Sequence, residues 1–256
     1  MAKLEIVQLP ARSDNFAVLL HDPGSGATAA IDAPEADTIM AALQDRGWLL
    51  DHIFVTHKHL DHIEGIPALK AAYSCGVTGP ASSAAETGMY DRTVEDGDVV
   101  HWAGVEIRAI ATPGHTLDHI SYWLPGEQVA FVADTIFALG CGRVIEGTHE
   151  MMWNSIERLR QIPEETRLYC GHEYTLANAK FAVTVDPDNR QLAERLREVQ
   201  QLREAGQPTL PTTVAREKAT NPFLRADNPA VAAAVGMQGE DPARVFAEIR
   251  SRKDRC

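Results

Sequence analysis

The stretch Thr56-His57-Lys58-His59-Leu60-Asp61-His62 packs three histidines and an aspartate into consecutive turns of chain, although the whole protein has only 10 histidines in 256 residues. Such a density asks for a chemical reason. Neutral imidazole and carboxylate are the donors that zinc and similar divalent ions take from proteins. The residues just before the cluster, HIFV, form an apolar run of strand character, so the donors sit at a strand's C-terminal end. The same arrangement recurs downstream. EIRAIA leads into TPGHT with His115, QVAFV ends in Ala133-Asp134, and RLYC is followed by Gly171-His172. An α/β scaffold builds a site in this way, by bringing several strand ends to one rim.

Outward from these points the first two thirds of the chain alternate apolar runs with turn residues. FAVLLHD, ATAAID and HISYWL read as further strands, and EADTIMAALQDRG and MMWNSIERLRQI as helices between them. After Tyr174 the pattern changes to helical periodicity with Pro and Gly punctuation, in YTLANAKFAVTV, NRQLAERLREVQQLREAG, NPAVAAAVG and DPARVFAEIRSRKD. This predicts a mixed α/β domain over residues 1–173 and a helical domain over 174–256.

Composition narrows the class. With 45% hydrophobic and 23% charged residues the chain is globular, and a net charge of −12 opposes a nucleic-acid or anionic-membrane surface. The N-terminus lacks a signal-type apolar segment, and no uncharged run reaches the roughly 18 apolar residues of a membrane span. A cytoplasmic enzyme is expected. Cys75, Cys141, Cys170 and Cys256 form no C-x-x-C pair, so they are expected as reduced thiols rather than metal ligands or disulfides.

An open catalytic metal site needs about three protein donors and a water. The seven candidates therefore suit two ions: His57, His59 and His115 for one, Asp61, His62 and His172 for the other, with Asp134 shared. The remaining histidines, His21, His52, His101, His119 and His149, are expected to be structural or solvated. His119 lies four residues after His115, and a hydrogen-bonding place beside the ligands is expected for it. Cys141 and Cys170 are not expected to act as nucleophiles.

The order THKHLDH, TPGHT, AD, GH resembles the metallo-β-lactamase superfamily of binuclear hydrolases. Within it, DTIFALGCGRVIEGT, CGHEYTLANAKFA, NPFLR at 221–225 and the terminal DPARVFAEIRSRKD resemble the glyoxalase II, or hydroxyacylglutathione hydrolase, family. The resemblance implies an αββα sandwich with metals at one edge of the sheets, followed by a helical C-terminal domain. It implies hydrolysis of S-D-lactoylglutathione to D-lactate and glutathione, a step of methylglyoxal detoxification, by hydroxide held between two divalent ions. Zinc is the expected metal, with iron or manganese also suited to these donors. Asp134 would bridge, and Asp61 would also orient the hydroxide. A thiol ionises near pKa about 8.5, so a thiolate leaves without a dedicated acid. Glutathione would be held at positions 143, 145, 174, 250 and 253.

Those positions are Arg143, Ile145, Tyr174, Arg250 and Lys253. Two depart from the family pattern: Arg143 stands where Lys is common, and Ile145 brings no hydroxyl where a Tyr would. Arg250 and Lys253 are three residues apart in a helical pattern, which puts them on one face. Rival readings are a persulfide dioxygenase or lactone hydrolase of the same superfamily. A metallo-β-lactamase lacks the Asp134 bridge, and a nuclease is opposed by the acidic charge. Oligomeric state is left open.

Overall fold

Six strands, β1 (Glu5–Ala11), β2 (Asn15–His21), β3 (Thr28–Ile31), β4 (His52–Phe54), β5 (Gly76–Pro80) and β6 (Arg92–Val94), form one sheet in that order. The structure, a computed structural model, describes residues 4–256. The chain divides into two compact units, one running to Ala111 and including Asp118–Phe131, the other comprising Thr112–Leu117 and Val132–Cys256. In the first unit β1, β2 and β3 pair antiparallel, whereas β3 to β6 are parallel. Parallel neighbours need crossovers. These are supplied by α1 (Ala36–Arg46), then α2 (Leu60–Ile63) and α3 (Ile66–Tyr73), then α4 (Ala84–Thr87). Strands β2 and β3 are buried at every position, which is why they read as unbroken apolar runs.

Helices α1 and α3 bury Ile39, Leu43, Ile66 and Leu69 against Leu19, Ala30, Ile53 and Val77 of the sheet. Gly47 ends α1 in the left-handed conformation (φ 67°), its N–H returning to Gln44 O and Leu43 O. A second antiparallel run, β7 (Val99–Trp102), β8 (Val105–Ala111), β9 (Ile120–Leu124) and β10 (Val129–Ala133), pairs in chain order. Phe54 of β4 packs edge-on against Tyr122 of β9, ring centroids 5.6 Å apart. The Tyr122 hydroxyl donates to Val55 O at 2.7 Å, and Ile120 N–H donates to Thr56 O at 2.8 Å. These bonds pin the end of β4, where the histidine cluster begins.

The second unit contains the short hairpin β11 (Ile136–Phe137) and β12 (Gly140–Cys141), and the antiparallel pair β13 (Arg167–Cys170) and β14 (Thr212–Thr213). Its helices are α5 (His149–Arg160), α6 (Thr175–Val185), α7 (Arg190–Glu204), α8 (Val214–Thr220), α9 (Pro229–Ala234) and α10 (Pro242–Asp254). Side chains of Thr148, Asn189, Thr213, Asn228 and Asp241 accept backbone N–H groups at the starts of five of them. Trp153, Phe223 and Phe246 pack together in its core. Among the described residues no helix is long and apolar enough to cross a membrane.

His52 opens β4 with Nε2 2.8 Å from Thr78 Oγ1 and its ring against Phe54. Burial, reinforced by the charge of Arg92, pushes its pKa down to about 4. In the unfolded chain it ionises near about 6.5, so between those values the unfolded state takes up a proton that the folded state refuses. The stabilisation is complete above the upper value and drains away as pH falls through the window, at up to about 1.4 kcal/mol per pH unit. Replacing His52→Gln should therefore shrink the stability difference between pH about 7 and pH about 5. Urea unfolding of both proteins at the two values checks this, and an unchanged difference would refute it.

Candidate functional site

In the first unit the cluster begins where β4 ends. Ligating atoms of His57 and His59 lie within 4.8 Å of each other, as do those of His57 and His62, and those of Asp61 and His62. The buried Asp32, just past β3, organises them. Its Oδ1 accepts Thr56 N–H (2.8 Å), and its Oδ2 accepts the Thr56 hydroxyl (2.8 Å) and His62 Nδ1–H (2.7 Å). Because the Thr56 hydroxyl is donated to Asp32, its oxygen is left to accept Nδ1–H of His57 at 3.0 Å. Both rings are thus held with Nδ1 protonated and the Nε2 lone pair directed to the other side. Asn15 Nδ2 donates to the main-chain oxygen of Asp61 at 3.0 Å and to its Oδ2 at 3.2 Å. His119 is buried and stacks on His57 with centroids 4.9 Å apart.

The second unit holds His115, Asp134 and His172 close together. His115 Nδ1–H donates to Arg143 O at 2.8 Å, which fixes its tautomer as well. Its Nε2 lies 3.4 Å from Asp134 Oδ2, and His172 Nε2 lies 3.4 Å from the same oxygen. A nitrogen lone pair aimed at a carboxylate oxygen repels it, and a cation between them turns repulsion into ligation. This donor set fits a divalent ion. Asp134 follows Ala133, whose φ of 36° is unusual for a residue with a side chain. The main chain returns close to it at Gly142, where a Cβ would stand 2.0 Å from Asp134 O, so only glycine fits.

The five expected substrate positions also lie in the second unit. Arg143 and Ile145 are exposed on the segment after β12, Ile145 at 54%. The N–H groups of Ile145 and Glu146 donate to His115 O, tying this segment to the His115 loop. Tyr174 stacks flat on His172 (4.8 Å, 4°) and meets Phe137 edge-on. The Lys253 ammonium donates to Ala177 O at 3.2 Å above the Phe181 ring, and burial lowers its pKa. Arg250 differs from a side chain reaching for an anion. It is 4% exposed, donates Nη1–H to Cys141 O (2.9 Å), pairs with Asp254, and lies over Phe223. The periodicity of α10 correctly spaces Arg250 and Lys253, but Arg250 shares its turn with the buried Phe246 and Ile249.

Sequence reasoning did not single out Asn15, Asp32 or Thr56. Asp32 ends an apolar strand just as Asp134 does, and that shared placement is the signal that could have found it.

Comparison with known proteins identifies the family. Residues 13–172 match the family model for the metallo-β-lactamase superfamily, and residues 173–256 match that for the hydroxyacylglutathione hydrolase C-terminus. The chain is 54% identical over 246 residues to a protein named hydroxyacylglutathione hydrolase from Rhodopseudomonas palustris, covering 96% of each chain. It is 52% identical over 252 residues to one of the same name from Brucella ovis, covering 98% of each. Among solved structures, ETHE1 from Myxococcus xanthus superposes with a TM-score of 0.67 at 24% identity, over 98% of both chains, which shows the shared fold. With its αββα metallo-β-lactamase fold and helical C-terminal region, the chain belongs to the hydroxyacylglutathione hydrolase family of the metallo-β-lactamase superfamily.

Proposed function

We propose that the protein hydrolyses 2-hydroxyacyl thioesters of glutathione, S-D-lactoylglutathione foremost, to the hydroxy acid and glutathione, using two divalent ions. The observation that carries this reading is a complete seven-donor set in a chain whose relatives of that name align over nearly its full length. His57, His59 and His115 would hold one ion and Asp61, His62 and His172 the other, with Asp134 between them. Zinc suits these donors, as do iron and manganese. When bound, such ions make a water acidic enough to ionise near neutrality and polarise the thioester carbonyl.

The chain's own residues supply the rest. Asp32 and Thr56 keep His57 and His62 in the required tautomer, and Arg143 O does so for His115. Asn15 steadies Asp61, the carboxylate that would also orient the attacking water. On an acidic chain an anionic substrate needs placed cations, and Arg143 and Lys253 are the candidates, with Tyr174, stacked on His172, as a further candidate contact. Ile145 offers only apolar contact where a hydroxyl is common. The thiolate product is a good leaving group near neutral pH, so no separate acid is required. We take residues 1–173 as the metal-binding part and 174–256 as the part that recognises glutathione, and the four free cysteines fit a cytoplasmic setting.

Purified protein should release glutathione from S-D-lactoylglutathione, and strong chelation should abolish the release. A fully metallated sample that leaves this thioester intact but opens lactones, or consumes oxygen with a persulfide, would move the assignment to a sister activity.

Asp134→Ala removes the carboxylate shared by both ions and should lose metal and turnover together. His119→Ala removes a ring that stacks on His57 and is not counted among the seven donors, and should cost at most about 10 to 100-fold. Metal analysis and steady-state kinetics on the pair decide, and equal losses in the two variants would show the bridge to be misassigned.

Thr56→Val keeps the shape of the side chain but deletes the oxygen that holds His57 Nδ1–H. Retention of metal against a competing chelator should weaken by about 10-fold or more. Wild-type retention in this variant would mean that the hydroxyl does not orient the ring.

A further inference from the structure

The hairpin that follows Asp134 is gripped by polar side chains from far along the chain. Between β11 and β12 the backbone turns through Leu139 at φ 59°, a conformation that a leucine keeps only when its surroundings hold it. Leu139 N–H donates to Glu217 Oε2 at 2.8 Å. The Asn221 amide sits among three acceptors: Phe137 O at 3.2 Å, Gly140 O at 2.9 Å and Glu217 Oε2 at 2.9 Å. Asn178 Nδ2 donates to Ala138 O at 3.2 Å, and Arg250 holds Cys141 O. Every residue from Phe137 to Cys141 is therefore tied to α6, α8, α10 or the residue just after α8. Glu217 and Asn221 are wholly buried, and the other oxygen of Glu217 is paired with the buried Arg195 and accepts the Thr212 hydroxyl at 2.6 Å. Burying such a pair is a poor way to gain stability alone, because desolvation offsets the attraction.

The hairpin's position in the chain gives it consequences. Asp134 lies two residues before β11 and Arg143 two residues after β12, while Gly142 presses against Asp134 O. Any shift of the hairpin moves the carboxylate, the cation and the carbonyl that orients His115 together.

We infer that Asn221 and Glu217 are positioning residues for the hydrolysis: by fixing the hairpin 136–141 they set Asp134 and Arg143, and so govern metal retention and thioester affinity without themselves touching metal or substrate. Arg250 acts at the same hairpin through Cys141 O. This rests on the assignment of Asp134 and Arg143 under the proposed function.

The test compares three full-length variants with wild type. Asn221→Ala withdraws the amide from the hairpin. Asn221→Ser keeps an oxygen able to cap Phe223 N–H, which Asn221 Oδ1 now accepts at 3.0 Å, yet is too short to serve both hairpin carbonyls. Val199→Ala, a cavity in the buried face of α7 away from the hairpin, controls for lost stability. Each is brought to full folding below its own melting temperature and titrated with a chelator while bound metal is counted, then assayed with S-D-lactoylglutathione. Both Asn221 variants are expected to release metal at about 10-fold lower chelator concentration and to show a raised KM. Val199→Ala should lower only the melting temperature. If the Asn221 variants lose stability but match Val199→Ala in metal retention and KM, the hairpin clamp is merely structural and the inference falls. If wild type itself binds no metal and cleaves no thioester, the proposed function falls, and this inference with it.

Discussion

A neutral imidazole has one lone pair to give, and the group that takes the hydrogen of its other nitrogen decides where that lone pair points. The candidate metal centre is built on this constraint. In the first unit one buried carboxylate, Asp32, settles two rings, His62 directly and His57 through the Thr56 hydroxyl. In the second unit a main-chain carbonyl does the same for His115. None of these three acceptors needs to move when an ion arrives. The ordering of these side chains is accomplished during folding, so the candidate donors are already turned as ligation of a divalent ion would require.

The same economy explains the loop that follows Asp134. Metal ligands at strand ends need rigid support on both sides, yet a loop that also presents Arg143 and Ile145 to solvent cannot be buried for stability. Here the support comes from below. Leu139 packs with Ala179, Ala182 and Leu192, while the polar groups of its hairpin are matched one by one by Glu217, Asn221, Asn178 and Arg250. A helical segment that bonds to the main chain of a ligand-bearing loop fixes that loop's path regardless of its exposed side chains. A change at an exposed position such as Ile145 then leaves the path of the main chain around the candidate ligands Asp134 and His115 undisturbed.

Much of this was legible beforehand, for identifiable reasons. Strands β2, β3, β4, β9, β10 and β13 announce themselves because their buried stretches are apolar runs, and β8, VEIRAIA, because apolar residues alternate with Glu106 and Arg108. Strand β1 does not, because Pro10 and its exposed polar positions disguise it; it lies at the sheet edge, where a proline is tolerated. Helix α8, VAREKAT, is short and highly polar, and its burial of Glu217 depends on Arg195 from another helix, a match no local pattern encodes. The candidate ligands were visible because they cluster at strand ends, whereas Asp32 binds His62 across 30 residues of sequence. Helical spacing placed Arg250 and Lys253 near each other but could not say that Arg250 turns inward to a carbonyl.

The cysteines close one remaining route. A thioester could in principle be attacked by an enzyme thiolate, and Cys141 and Cys170 both lie within a few residues of candidate ligands. Burial pushes the Cys141 thiol up to about 11, despite the neighbouring Arg250, and pushes the Cys170 thiol well above its ordinary value. A nucleophilic thiol needs the opposite, an electropositive and accessible setting that lowers its pKa. Near neutral pH both remain protonated and enclosed. Buried and protonated, both are poor nucleophiles, which leaves water as the acyl acceptor in the proposed reaction. That outcome is consistent with the proposed function, in which water is the attacking group and the seven candidate donors at the strand ends supply its activation.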